Sequence, residues 1–161
     1  MLFAHSLSGI IATLYASRYS KADMLVLSNP TLNPPIATKT LRLISAKIIN
    51  QIRVKKPLKL KKKTLDPFNC QEFTLRLLKT VYIDGAKAAK QELKNISLPL
   101  LMLSGKLDKL TNYKKLKLVF NKFNSLDKEM RIYASGGHDI VNTAAKTEAV
   151  KDILSWLNAK K

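Results

Sequence analysis

Apolar residues along this chain fall into two textures. Short apolar runs closed by small or turn-forming residues occur at positions 1–5, 23–28 and 98–104, with a further strand-like stretch at 129–134. The runs at 23–28 and 98–104 are apolar at nearly every position, which predicts strands buried on both faces of a parallel sheet. Elsewhere the apolar residues recur every three or four positions. Ile10, Ile11, Leu14 and Tyr15 predict a helix over 10–19, and positions 113–123 read as a basic amphipathic helix. Ala149, Val150, Ile153, Trp156 and Leu157 give one apolar face to a closing helix over 143–158. Asn29-Pro30, the turn from Gly105 to Asp108, and Ser135-Gly136-Gly137 punctuate the strand ends. The resulting order is strand, helix, strand, insertion, strand, helix, strand, helix, the pattern of a parallel α/β sheet.

The insertion, 31–95, has its own texture. Pro34 and Pro35 lie near its start, Leu41, Ile44, Ile48 and Ile49 recur at helical spacing, and ten basic residues with no acidic one fall between positions 39 and 63. It reads as a small helical cap inserted into one domain spanning 1–161.

Composition narrows the classes. A chain of 161 residues with 46% apolar and 25% charged positions has enough apolar material for one globular core. No run approaches the length of a membrane span. Cys70 is the single cysteine, which excludes an internal disulfide framework; with two histidines it leaves too few ligands for a structural zinc site. Cys70 is expected to be a small buried or half-buried residue, and Trp156 a core residue. The net charge of +18 invites a nucleic-acid or anionic-membrane reading. Only five of the 29 basic residues are arginine and aromatics are 7%, whereas base readout and bidentate phosphate contacts favour arginine. Coding bias spread over a solvated lysine face explains the charge better. Positions 1–17 carry no formal charge, but without a basic leading segment, and with His5, Ser6 and Ser8 breaking the apolar stretch, they read as strand and helix instead of a signal peptide.

Three polar residues follow the ends of three predicted strands: Ser6, Asp108 and His138. Open α/β sheets gather their chemistry at those ends. The order Ser, Asp, His is that of a nucleophile, an orienting acid and a base. A serine hydroxyl needs an imidazole to take its proton, and the imidazole needs a carboxylate to fix its tautomer and stabilise its charged form. The N–H of Leu7, at the helix start, would face a developing oxyanion. Singly, each has a plainer role: Ser6 as a helix N-terminal residue, Asp108 as a turn former, His138 as a solvated loop residue. Asp66, Glu72, Asp84 and Glu92 lie in the cap without an identifiable partner.

Ala4-His5-Ser6-Leu7-Ser8-Gly9 resembles the Gly-His-Ser-x-Gly-Gly nucleophile elbow of α/β-hydrolases, in particular the lysophospholipase and monoacylglycerol lipase group. Ser28-Asn29-Pro30 resembles the Ser-Ser-Pro closing that group's next strand. Leu98 to Gly105 with Asp108 resembles its Pro-x-Leu-x-x-x-Gly-x-x-Asp strand, and Gly136-Gly137-His138-Asp139 its histidine loop. Ala4 and Ser8 stand where the elbow pattern has glycines, and the family carries a substantial N-terminal half before its nucleophile, so the chain resembles the C-terminal part of such a hydrolase.

The resemblance implies a partial α/β-hydrolase fold of about four parallel strands with flanking helices and a small cap. It implies an ester hydrolase in which Ser6 attacks, His138 shuttles the proton, Asp108 orients His138 and Leu7 N–H binds the oxyanion. The implied substrate is lysophospholipid or monoacylglycerol, with no metal or organic cofactor. A cytoplasmic location is expected, with peripheral contact to an anionic membrane and a completing N-terminal polypeptide as partners, and no specific nucleic acid. Two rivals stand beside this reading. One is an inactive remnant or half of a split hydrolase, whose strand at 1–5 would be a bare sheet edge. The other is a basic module that binds nucleic acid or anionic lipid through 55–63.

Overall fold

In the computed structural model, residues 1–19, 21–33, 77 and 79–160 are described, together with the backbone of 58–59 and 72–73. In chain order the elements are β1 (Leu2–His5), α1 (Ser8–Arg18), β2 (Leu25–Ser28), β3 (Leu58–Lys59), β4 (Glu72–Phe73), α2 (Ala86–Glu92), β5 (Leu100–Gly105), α3 (Tyr113–Phe120), β6 (Lys128–Tyr133) and α4 (Lys146–Asn158). A π-helical turn, Lys79–Gly85, leads into α2. Four strands form one parallel sheet in the order β1-β2-β5-β6, and β3 and β4 form a small antiparallel pair. The four parallel strands are those expected from the apolar runs.

The register puts the functional ends together. His5 lies beside Ser28, Ser28 beside Leu103, and Gly105 beside Tyr133, so all four strands finish along one rim of the sheet. Ser6, Asn29, Asp108 and His138 each follow one of these ends.

The sheet separates two apolar layers. Leu25, Leu27, Leu100 and Met102 face one side and pack with Ile10 of α1, Ala86 and Ala89 of α2, Leu93, and Leu116 and Val119 of α3. Val26, Leu101 and Leu103 face the other side and pack with Tyr133, Ile140, and Ala149 and Trp156 of α4. Unbroken apolar runs are therefore required in β2 and β5, because alternate side chains feed opposite layers. Burial of each such leucine is worth about 1.5–3 kcal/mol.

Most of 31–95, including Cys70, Asp66 and the side chains of the basic stretch at 55–63, lies outside the described residues. Of its described parts, Thr31 and Leu32 are buried, and Ala86, Ala89 and Leu93 pack on the sheet's helical layer. Glu92 and Asp84 do have partners: Glu92 accepts from Arg18 and from Ser17 Oγ across α1, and Asp84 pairs with Lys79. The Arg18 and Ser17 hydrogen bonds hold the Glu92 carboxyl at about 2.

The structure sorts the apolar residues of two helices into buried and exposed sides, and in α4 it departs from the expected single apolar face. In α1 the buried residues are Gly9, Ile10, Ala12, Thr13 and Ala16, while Ile11 is 60% exposed and Tyr15 also faces out. The approach is closest at Gly9, where a Cβ would lie 2.6 Å from Pro30 Cβ. Gly9, Ala12 and Ala16 permit that approach, Ile10 fills the core beside them, and Ile11 and Tyr15 take the open face. In α4, Val150 is exposed; Ala149 and Trp156 carry the packing, with Ile153 and Leu157 partly buried beside them.

Candidate active site

β1 ends in a sharp turn that points Ser6 away from the sheet rim. Ser6 adopts φ 53°, a left-handed conformation uncommon outside glycine. The turn is pinned on every side: Ser6 N–H donates to Ser28 O (3.0 Å), and Ser6 O accepts from Gly9 N–H (3.1 Å) and Thr31 N–H (2.9 Å). Ser8, at one of the replaced pattern glycines, closes the turn with its hydroxyl, which accepts from His5 N–H (2.9 Å) and donates to His5 O (2.6 Å). The Leu7 N–H is used in none of the hydrogen bonds that build this turn, and Leu7 is half-buried where α1 begins.

Asp108 lies three residues beyond β5 with its side chain fully buried. Its Oδ1 accepts from Leu110 N–H (2.7 Å) and Thr111 N–H (3.0 Å), and its Oδ2 accepts from Thr111 Oγ1 and faces His138. Burial works to raise this carboxyl, but the hydrogen bonds from His138, the Thr111 hydroxyl and the two N–H groups outweigh it and hold the group at about 2.

The three residues picked from sequence meet. His138 Nδ1 lies 2.8 Å from Asp108 Oδ2, and His138 Nε2 lies 2.7 Å from Ser6 Oγ. An ionised carboxylate only accepts, so Nδ1 carries the proton and donates to it. In the neutral ring Nε2 is then the acceptor for the Ser6 hydroxyl. The arrangement can take a proton from Ser6 and stabilise the imidazolium that results.

Four further residues shape the site and were not singled out from sequence. Thr31 Oγ1 is 3.2 Å from Ser6 Oγ, a second partner for the hydroxyl. Thr111 completes the shell of Asp108. His5 stacks obliquely on His138 with ring centroids 5.0 Å apart, and its Nδ1 lies 3.1 Å from Ser28 O. Burial, then the proximity of His138, pushes the His5 ring below its ordinary value, which favours its neutral form. The fourth, Asn29, is buried and reaches the His138 loop. The signal available for Asn29 was asparagine itself at a strand end, a residue type that tolerates a left-handed backbone. Among the described residues no cluster of metal-ligating side chains occurs.

With this geometry in place, comparison with known proteins is decisive on family. The sequence profile of the hydrolase family described as serine aminopeptidase S33 matches residues 1–144. The chain belongs to that family. It is 25% identical over 174 aligned residues to the monoglyceride lipase of Mus musculus, covering 98% of this chain and 57% of the relative's length. The crystal structure of a monoacylglycerol lipase from Paleococcus ferrophilus superposes with a TM-score of 0.84 at 23% identity, covering 99% of this chain and 68% of that one. A soluble variant of monoglyceride lipase from Saccharomyces cerevisiae, solved with a substrate analogue, superposes with a TM-score of 0.75 at 18% identity, covering 99% of this chain and 64% of that one. The fold is that of the α/β-hydrolases, and the chain spans little more than half the length of its mouse relative. Among the described residues no helix is long and apolar enough to cross a membrane.

Proposed function

We propose that this family member is a serine hydrolase of carboxylic esters, acting on monoacylglycerol or lysophospholipid. The observation that carries the reading is the unbroken chain of contacts from Ser6 Oγ to His138 Nε2 (2.7 Å) and from His138 Nδ1 to Asp108 Oδ2 (2.8 Å). Ser6 Oγ attacks the acyl carbonyl while its proton passes to His138 Nε2. The tetrahedral oxyanion is held by Leu7 N–H at the positive end of α1. His138 then gives the proton to the departing alkoxide, which leaves as the alcohol, and the acyl group stays on Ser6. Water repeats the sequence and frees the acid. The monoglyceride lipases among its relatives support a lipid ester over a peptide as the substrate.

Leu7 is the single oxyanion donor identified among the described residues, and losing one donor of a pair typically costs about 10²–10³ in turnover. The edge of the sheet suggests where the remainder attaches. Beyond β1 no further strand occurs among the described residues, and Phe3, Ile11 and Tyr15 line an apolar groove of about 280 Å³ along this edge. A polypeptide with a further parallel strand would cover that groove, and the second donor would come with it.

The test is covalent labelling. A fluorophosphonate should modify Ser6, Ser6→Ala should abolish the label, and monooleoylglycerol should protect against it better than an amino-acid anilide. A label that persists in Ser6→Ala, or a folded wild-type chain that takes no label, overturns the reading.

A further inference from the structure

We propose that Asn29 is a positioning residue for His138, its buried amide tying the loop that carries the imidazole to the ends of β2 and β5. The inference rests on the reading of Ser6, His138 and Asp108 as one relay, and it adds a fourth residue that touches none of the reacting atoms.

Asn29 directly follows β2, is fully buried and takes φ 41°, a left-handed conformation that asparagine tolerates better than most residues. Its backbone N–H donates to Leu103 O (2.8 Å), fixing it to β5. Its side chain then works in both directions. Oδ1 accepts from Gly105 N–H (3.0 Å) and Ser104 Oγ (3.2 Å) at the end of β5. Nδ2 donates to Gly137 O (2.9 Å) and His138 O (2.6 Å). Both amide protons and two acceptor directions on the oxygen are engaged, which defines the orientation of the amide.

The His138 loop leans on this amide. Among the hydrogen bonds of the described residues, the carbonyls of Gly137 and His138 accept from Asn29 alone. The neighbouring carbonyl is held separately: Gly136 O accepts from Leu107 N–H (2.9 Å), and a Cβ on Gly105 would overlap it, so the loop lies directly against the β5 terminus. From that anchored backbone the imidazole must reach Ser6 and Asp108 at once. A serine at position 29 is too short to bridge β5 and the loop. An aspartate has the right shape, but it would turn an oxygen toward two carbonyl oxygens.

Two variants and two readouts test this on the full chain. Asn29→Ser and Asn29→Asp are compared with wild type by proton NMR of the His138 Nδ1–H held against Asp108, and by the rate of Ser6 labelling with a fluorophosphonate across pH. The Trp156 indole signal reports whether each variant is folded. Folded Asn29→Ser is expected to lose or shift the His138 proton resonance and to label about 10²-fold more slowly, the scale of a misplaced catalytic group. Asn29→Asp should label more slowly still as its carboxyl ionises. A wild-type resonance with a wild-type labelling rate in folded Asn29→Ser overturns the proposal. If both variants unfold, Ser104→Ala, which removes one donor to Asn29 Oδ1, should move resonance and rate in the same direction by less, and no change there overturns it. A folded but unlabelled wild type removes the esterase reading alone, because the NMR comparison still decides the role of Asn29.

Discussion

Replacing Asp108 with asparagine separates charge from shape at the site. The amide oxygen can still occupy the Oδ1 position and accept from Leu110 N–H and Thr111 N–H, so the turn after β5 is kept. The other end changes character. An NH₂ group now faces His138 Nδ1 across 2.8 Å and makes that nitrogen an acceptor. The ring proton moves to Nε2 and points at Ser6 Oγ, so the ring can no longer take the serine proton. In triads of this kind the wrong tautomer costs about 10⁴ in turnover, or about 5 kcal/mol of barrier. Stability changes as well, with a sign set by the depressed carboxyl. A group lowered from 3.8 to about 2 on folding contributes stability that is present above the unfolded value and lost as pH falls through the folded one. The contribution is about 2 kcal/mol at neutral pH. Asp108→Asn should therefore label with a fluorophosphonate about 10⁴-fold more slowly and unfold at lower urea at neutral pH, and the stability gap should close between about pH 4 and pH 2. Labelling within tenfold of wild type would refute the tautomer argument, and a gap unchanged at the acid end would refute the stabilising role of the ionised carboxylate.

Two other outcomes follow from packing. Gly9→Ala places a Cβ 2.6 Å from Pro30 Cβ and 3.0 Å from Pro30 Cα, so α1 must retreat from β2; urea unfolding should show a loss of about 1–3 kcal/mol, and a neutral result would mean the helix moves freely. Ile11→Lys introduces charge into the open groove beside β1 at a site already 60% exposed. An uncovered apolar sheet edge favours self-association, so the wild-type chain is expected to associate in sedimentation velocity and Ile11→Lys to associate less, with stability changed by less than about 0.5 kcal/mol; association undiminished by the lysine would show that this edge does not drive it.

The sheet was legible because its strands are extreme cases. β2 and β5 are short and apolar on both faces, so length and composition together left little room for a helix. Helix α1 was legible as a helix, but its spacing left open which residues pack inward. Of the four apolar residues that define it, Ile10 is buried and Leu14 packs partly against the core, while Ile11 and Tyr15 face out; Gly9, Ala12 and Ala16 complete the inner face. Spacing identifies a helix, and the separation of helix and sheet decides which of its residues are enclosed. Val150 was misassigned for a related reason: α4 packs through Ala149 and Trp156, a narrower contact than its run of apolar residues implied.

The site was legible as three positions and illegible as a network. In the sequence Asp108 reads as either a turn former or an acid, and the structure makes the first role the means of the second. Oδ1, bonded to two N–H groups of its own turn, fixes the carboxylate so that Oδ2 is aimed at His138, and the hydrogen bonds from His138 and the Thr111 hydroxyl, together with those two, keep it ionised. Local motifs could suggest such a residue because both roles leave a trace within a few positions. The local sequence of Asn29 shows only a turn-forming residue at a strand end; its bridging role leaves no trace there, since its partners are 75 to 109 residues away and that role exists only where β2, β5 and the His138 loop converge. Contacts of that range are set by strand order and register, and strand order is what the apolar pattern of a parallel sheet does not encode. A residue whose whole function is to join three chain segments therefore becomes visible only after the sheet has been assembled.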